Sequence, residues 1–252
     1  GKHREALAAL DRALELDPEN AGAWFRKADS HAALGDYAAA VKALDRTLAL
    51  TPGDGEAWLR KGLALRTLGK AGESLEALTH SAEVDPGNPE AWFHRAGVLR
   101  DLGRDEEAGQ SLEAVVGLNP EHRDAWFLLG LVREATGDPE GSLAAFTRCV
   151  ELDARYADGH YRRGLALVAL GRPEAAVEAF DEVLDLDPSR KDAWFQEGLI
   201  LEGFGEFGEA LAALETSLSL DPDQPEAWFH IARCRAGEGK PAEAAEACGQ
   251  AL

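Results

Sequence analysis

The chain has 252 residues, 45% of them hydrophobic, with 46 acidic against 26 basic side chains and a formal charge of −20 at pH 7. Such an acid excess repels a phosphate backbone and an anionic bilayer surface, which argues against general nucleic-acid binding and against attachment to a membrane surface. No apolar run approaches the ~20 residues needed to span a bilayer, no secretory leader is visible, and a chain without methionine that opens inside a repeat reads as a piece of something longer, cytoplasmic by default with its compartment open.

The segment from Gly1 to Asn20 carries one amphipathic helix pattern, with Ala6, Leu10 and Ala13 on one face and Pro18 as its stop. From there a unit of 34 residues recurs without insertion over 21–54, 55–88, 89–122, 123–156, 157–190 and 191–224, with a shorter copy at 225–252. Tryptophan marks the beat at Trp24, Trp58, Trp92 and Trp126, is replaced by His160, and resumes at Trp194 and Trp228. Each unit predicts two helices. In the first, the lattice residue, a small residue four further on (Ala28, Gly62, Ala96, Gly130, Gly164, Gly198, Ala232) and a large one seven on, as in Trp58, Gly62 and Leu65, share a face. Glycine eleven after the beat (Gly35, Gly69, Gly103, Gly137, Gly171, Gly205, Gly239) ends that helix and permits a tight turn. The second helix begins its buried face at Ala or Ser sixteen after the beat (Ala40, Ser74, Ala108, Ser142, Ala176, Ala210, Ala244), continues it as in Phe180 and Val183, and stops at Pro52, Pro86, Pro120, Pro188 or Pro222, with Ala154 as the exception. One such hairpin cannot bury its apolar face alone, so stability must come from stacking neighbours.

These residues resemble the tetratricopeptide-repeat (TPR) family, whose pattern is W-x2-L-G-x2-Y, then A-x3-F, then P. The stretch from Asp187 to Ala210, DPSRKDAWFQEGLILEGFGEFGEA, is very similar to it. The resemblance covers the whole chain as a single solenoid and is highly specific, because seven copies stand in phase. It implies an all-α fold: a right-handed superhelical solenoid of stacked antiparallel helix pairs. The chain departs from the family where a leucine three after the beat is replaced by Lys27, Lys61, Arg95, Arg163 or Glu197. It departs again at Ala154 and His160, where looser packing is expected. Pentatricopeptide RNA readers have a similar repeat length but lack this Trp–Gly–Ala–Pro signature.

Catalytic motifs are absent, with no H-E-x-x-H and no G-x-S-x-G, and the chain is read as not an enzyme. Gly69 and Lys70 sit in a stretch with the wrong glycine spacing for a phosphate loop, and Ala71 stands where Ser or Thr must reach a metal. The histidines form no ligand cluster, so no metal and no cofactor are expected. Cys149, Cys234 and Cys248 lack metal-ligand spacing and read as small hydrophobes, with a Cys234–Cys248 disulfide open but unsupported.

The resemblance implies that the first helices line the concave side of the superhelix and receive a partner there. One after the beat stand Phe25, Leu59, Phe93, Phe127, Tyr161, Phe195 and Phe229; five after it stand Leu63, Leu131, Leu165 and Leu199, with Asp29, Gly97 and Arg233 between. These form an apolar stripe for an amphipathic helix or extended segment, or else pack between repeats as ordinary core. Arg26, Arg60, His94, Arg162 and His230, two after the beat, form a basic band. It either meets acidic ligand groups or pairs with neighbouring repeats. Glu56, Glu90, Asp124, Asp158, Asp192 and Glu226, two before the beat, suit the positive end of the helix dipole. The Lys and Asn of a chaperone-tail carboxylate clamp and the asparagine ladder of TPR sugar-transferase arms are both missing. The leading reading is a protein-interaction scaffold or adaptor that holds a peptide or helix of a partner protein, without nucleic acid or membrane insertion. The alternatives are a self-assembling, end-to-end structural solenoid, with a monomer as the opposite case, and the regulatory arm of a larger enzyme.

Overall fold

The computed structural model describes residues 2–251, and all regular structure among them is α-helical. The helices fall into two compact units, one ending at Thr136 and one beginning at Gly137. The first unit contains α1 (Lys2–Leu16), α2 (Ala21–Ala33), α3 (Tyr37–Leu50), α4 (Gly55–Thr67), α5 (Ala71–Val84), α6 (Pro89–Asp101), α7 (Asp105–Leu118) and α8 (Arg123–Ala135). The second contains α9 (Pro139–Leu152), α10 (Ala157–Ala169), α11 (Pro173–Leu186), α12 (Lys191–Phe204), α13 (Phe207–Leu220), α14 (Pro225–Gly237) and α15 (Pro241–Gln250). Within each unit, helices adjacent in sequence pack on one another, so α2 lies between α1 and α3, and α12 between α11 and α13.

The boundaries follow from local chemistry. Asn20 and Asp54 accept the amides of Ala23 and Ala57 at 2.9 and 3.0 Å, satisfying donors that a helix start leaves open. The turn between the helices of a pair is made by the glycine eleven after the beat, which adopts φ between 65° and 80° in all seven pairs, a region a side chain disfavours.

The two helices of a pair approach at the small residue. A Cβ built on Gly62 would stand 2.5 Å from Leu78, on Gly164 2.7 Å from Phe180 and on Gly198 2.7 Å from Leu214. Phe180 and Leu214 are fully buried, so the missing side chain on one helix is the space the other helix fills. Serines tie the same pair together: Ser74 donates to the Gly62 carbonyl and Ser81 to the Gly55 carbonyl, each at 2.8 Å, and Ser217 donates to the Lys191 carbonyl at 2.9 Å.

Successive pairs are joined by the lattice residue. The indole N–H of Trp24, Trp58, Trp126 and Trp194 donates to the carbonyl of the proline six residues earlier at 2.9 to 3.0 Å. His160 reproduces this bond where the motif is broken: its Nε2 lies 3.0 Å from the Ala154 carbonyl, and the ring is 5% exposed. The smaller ring leaves its Nδ1 buried without a partner. The charged residues three after the beat form a second joint. Lys27 pairs with Asp11 at 2.6 Å and Lys61 with Asp45 at 2.7 Å, each reaching the preceding second helix while its ammonium rests 5.0 Å from the centroid of its own tryptophan. Arg95 donates to Thr79 at 3.1 Å in the same register.

Glu197 inverts this joint. It occupies the position of Lys27 and Lys61, and in that register the preceding second helix presents another acid, Asp181. Its Oε2 is buried without a partner. Burial first, then Asp181 on α11 and Glu209 on α13, push its carboxyl up to about 7. The folded chain therefore holds a proton that an unfolded glutamate releases near its ordinary range of ~4.3. The cost of this group is absent below that range, grows as the pH rises toward 7 and is complete above it.

Three outcomes are expected. Gly164→Val lowers stability by about 1–3 kcal/mol through overpacking against Phe180, read as a fall in the urea midpoint; an unchanged midpoint contradicts the interlock. Glu197→Lys restores the base–acid pair with Asp181 and raises Tm by ~2–4 °C, the shift of about 1 kcal/mol in a chain of this size. The stability gap between Glu197→Gln and the parent widens from pH 5 to pH 8; a gap independent of pH rejects the titration assigned to Glu197.

Candidate functional site

The face presented by the first helices is built from the residues one, two and five after the beat. In the first unit Phe25 is half-buried and packs on the cluster of Ala28, Leu44 and Ala57. Leu59 is buried at 6% exposure with Leu78 and Val98, and Leu63 leans on that cluster. The ring of Phe93 lies 4.7 Å from that of His122, which caps α8 by accepting the amide of Ala125. Phe127 and Leu131 on α8 are half-buried.

In the second unit Tyr161 stacks between Phe180, at 5.7 Å, and the guanidinium of Arg190, at 5.0 Å. Burial, and then Asp192, push its hydroxyl above the ordinary tyrosine range. Leu165 packs on the cluster of Leu167, Phe180 and Ile200. Phe195 rests on the cluster that includes Leu201 and Ile231, 5.9 Å from His230, and Leu199 is half-buried beside it. Phe229 is 52% exposed. The apolar row therefore both packs between repeats and shows its edges.

The basic band is largely engaged by acids. Arg60 donates to Glu56 at 2.7 Å. Arg66, on the same face of α4, reaches Asp101 on α6 at 2.9 Å and covers Gly97, where a Cβ would meet it at 3.0 Å. His94 lies 3.6 Å from Glu90, yet burial foremost, and Arg66 as well, push its imidazole below the ordinary value. Arg162 is half-buried. His230 and Arg233, both on α14, hold the buried carboxylate of Glu202 on α12 at 2.6 and 2.8 Å. Arg190 bonds Asp158 at 2.8 Å and Asp192 at 3.0 Å, so two of the acids before the beat serve a basic neighbour. Arg26 is exposed and makes no ion pair among the described residues.

Sequence reasoning missed three features of this face. The Arg190 clamp over Tyr161 was signalled only by a base two residues before an acid. The Glu202 site needed the register of α12 against α14. A cavity among α2, α3 and α4, lined in part by Asp29, Arg60 and Leu63, arises where side chains are small. Among the described residues no three His, Cys, Asp or Glu groups converge to hold a metal ion, and no helix is long and apolar enough to cross a membrane. No disulfide joins the three cysteines: Cys149 and Cys234 are buried, and Cys248 is exposed. Burial, and then Glu202, push the Cys234 thiol up to about 11.

The helix-pair register, the small-residue interlock and the tryptophan latch together define a helical-repeat module of the kind that presents a surface to other proteins. The tetratricopeptide-repeat model matches residues 1–55, 26–79, 59–120, 110–159 and 195–252, and a second model of the same repeat matches 157–190. The chain belongs to the tetratricopeptide-repeat family, and its stacked helix pairs are those of a TPR solenoid. No curated protein is similar enough to match it.

Solved structures share the fold. MamA is 25% identical, with a TM-score of 0.64 over 67% of this chain and 92% of that one. YrrB, described as a TPR protein with an unusual peptide-binding site, is 21% identical, with a TM-score of 0.68 over 74% and 96%. The C-terminal part of a TPR repeat-containing protein from Cytophaga hutchinsonii is 16% identical, with a TM-score of 0.73 over 91% and 95%. Modules of this family are in general non-catalytic interaction modules, and the repeats and the shared fold support protein interaction as the general class of function of this chain.

Proposed function

We propose that the chain is an adaptor that holds a peptide or helix of a partner protein along the face of its first helices. The observation that carries this reading is the row of aromatic and leucine side chains on that face, from Phe25 to Phe127 in the first unit and from Tyr161 to Phe229 in the second, most of them half-buried, with Leu59 buried and Phe229 exposed. Rings already wedged between repeats lose little further freedom when a ligand covers their open edges, so their apolar area converts efficiently into affinity. The peptide-binding site of YrrB, on a chain of the same fold, supports a peptide as the occupant.

The charges beside the row set its preferences. Arg26 has a free guanidinium, and Arg60 keeps donors beyond the one given to Glu56. Acidic groups of a bound segment would meet these bases. The residues that form the site are Phe25, Leu59, Leu63, Phe93, Phe127 and Leu131 with Arg26, Arg60 and His94 in the first unit. Tyr161, Leu165, Phe195, Leu199 and Phe229 with Arg162 and His230 form it in the second.

Panning a random-peptide display library on the whole chain and measuring the enriched peptides by fluorescence anisotropy tests the reading. Phe93→Ala, Phe127→Ala and Phe229→Ala, each checked for native helicity, are expected to weaken binding roughly tenfold or more where the ring anchors the peptide. Peptides whose affinity is the same for all three variants and for Phe195→Ala bind elsewhere and exclude this face.

A further inference from the structure

Among α2, α3 and α4 of the first unit lies a cavity of about 260 Å³. Its inner wall is apolar, with Ala28, Ala40, Leu44 and Ala64 all buried there at 4% exposure or less. The space exists because Ala32, eight after Trp24, has only a methyl group; the matching residues of α4 and α6 are Arg66 and Arg100. Arg66 shows what such a side chain does: it lies across the next first helix at Gly97 and reaches Asp101. In α2 nothing takes that course, and the gap stays open on the face that the proposed partner would follow.

One charged group lines the opening without a partner. Asp29 stands five after Trp24, where the other first helices of this unit have Leu63, Gly97 and Leu131. Its carboxylate makes no hydrogen bond and no ion pair among the described residues. Arg60, which also lines the cavity, is held by Glu56 at 2.7 Å and feels Asp29 only at longer range. An apolar slot beside a free carboxylate matches a side chain with a methylene stem and a cationic tip. The charge of −20 on the chain also draws a cationic segment toward the surface.

We propose that this cavity receives one lysine or arginine side chain of the partner segment, its stem on Ala28, Ala32 and Leu44 and its cation on Asp29. The proposal rests on the reading of the first-helix face as the binding surface and names one anchor of what it binds.

The test uses the whole chain and fluorescein-labelled peptides enriched from a random display library. Enriched peptides are expected to share a Lys or Arg at one position. Replacing that residue by norleucine, which keeps the stem and removes the charge, should weaken binding roughly tenfold. Asp29→Asn should weaken it by a similar factor, and the two changes together should cost little more than either alone, as coupled partners do. Ala32→Leu, which fills the slot on an intact helix, should also reduce affinity. Additive losses, or peptides with no shared basic residue, overturn the proposal. If binding falls with Phe93→Ala or Phe127→Ala but is unchanged by Asp29→Asn and Ala32→Leu, the binding face stands and the cavity is not its anchor. If no peptide is enriched, both readings fall.

Discussion

Each helix pair closes on a place where one helix has almost no side chain. Gly62 against Leu78, Gly164 against Phe180 and Gly198 against Leu214 bring two backbones together so closely that even a methyl group would intrude. That distance fixes the rest. With the pair closed, Ser81 and Ser217 reach carbonyls at the start of their own first helices. The tryptophan of the pair is then set over the preceding loop, where its indole finds the proline carbonyl. A wider pair would stretch the serine bonds beyond the range in which a hydrogen bond retains its strength. The repeat is therefore held by one steric vacancy and by polar contacts that fit only once it is filled.

Between pairs the chain uses charge where its family uses leucine. A lysine three after the beat serves two partners at once, an aspartate on the preceding second helix and the face of its own tryptophan. Because the pair is only partly exposed and its geometry is shared with a ring, it retains more value than a free surface ion pair. Glu197 shows the same register with the sign reversed, and the result is an acid whose affinity for a proton is raised. The strength of the joint between α11 and α12 thus depends on pH near neutrality, a property of two residues and not of the fold.

The fold was legible because a period of 34 is carried by residues with a steric or conformational duty: a glycine at positive φ, a small residue at the close approach, a proline after the second helix. His160 was read as a weak point from its identity alone. The structure shows that an imidazole can reach the same carbonyl as an indole, while its second nitrogen is left buried and unpaired. The proposed binding face was only partly legible. A ring one position after the tryptophan touches the next repeat and also borders the face, so its sequence position gives no measure of how much edge remains open. Ion pairs such as His230 with Glu202 join residues far apart in the chain and depend on how neighbouring first helices are phased. The cavity beside Asp29 was not legible at all, since it is produced by a side chain that is not there.

Half-burial is a useful condition for a recognition surface. A fully exposed ring must be ordered when a ligand arrives, and a fully buried one has nothing to offer. Rings clamped by the next repeat are ordered in advance by the same packing that stabilises the stack. The face is therefore rigid where it is apolar, and its charged groups differ from one repeat to the next: Arg26 free, Arg60 and Arg66 tied to carboxylates, His94 held toward its neutral form, His230 joined to a buried acid. A regular backbone lattice with an irregular set of charges can distinguish one segment from another without departing from its register. On the proposed binding face, selectivity would reside in the few positions, Asp29 and Ala32 among them, at which a repeat differs from its neighbours.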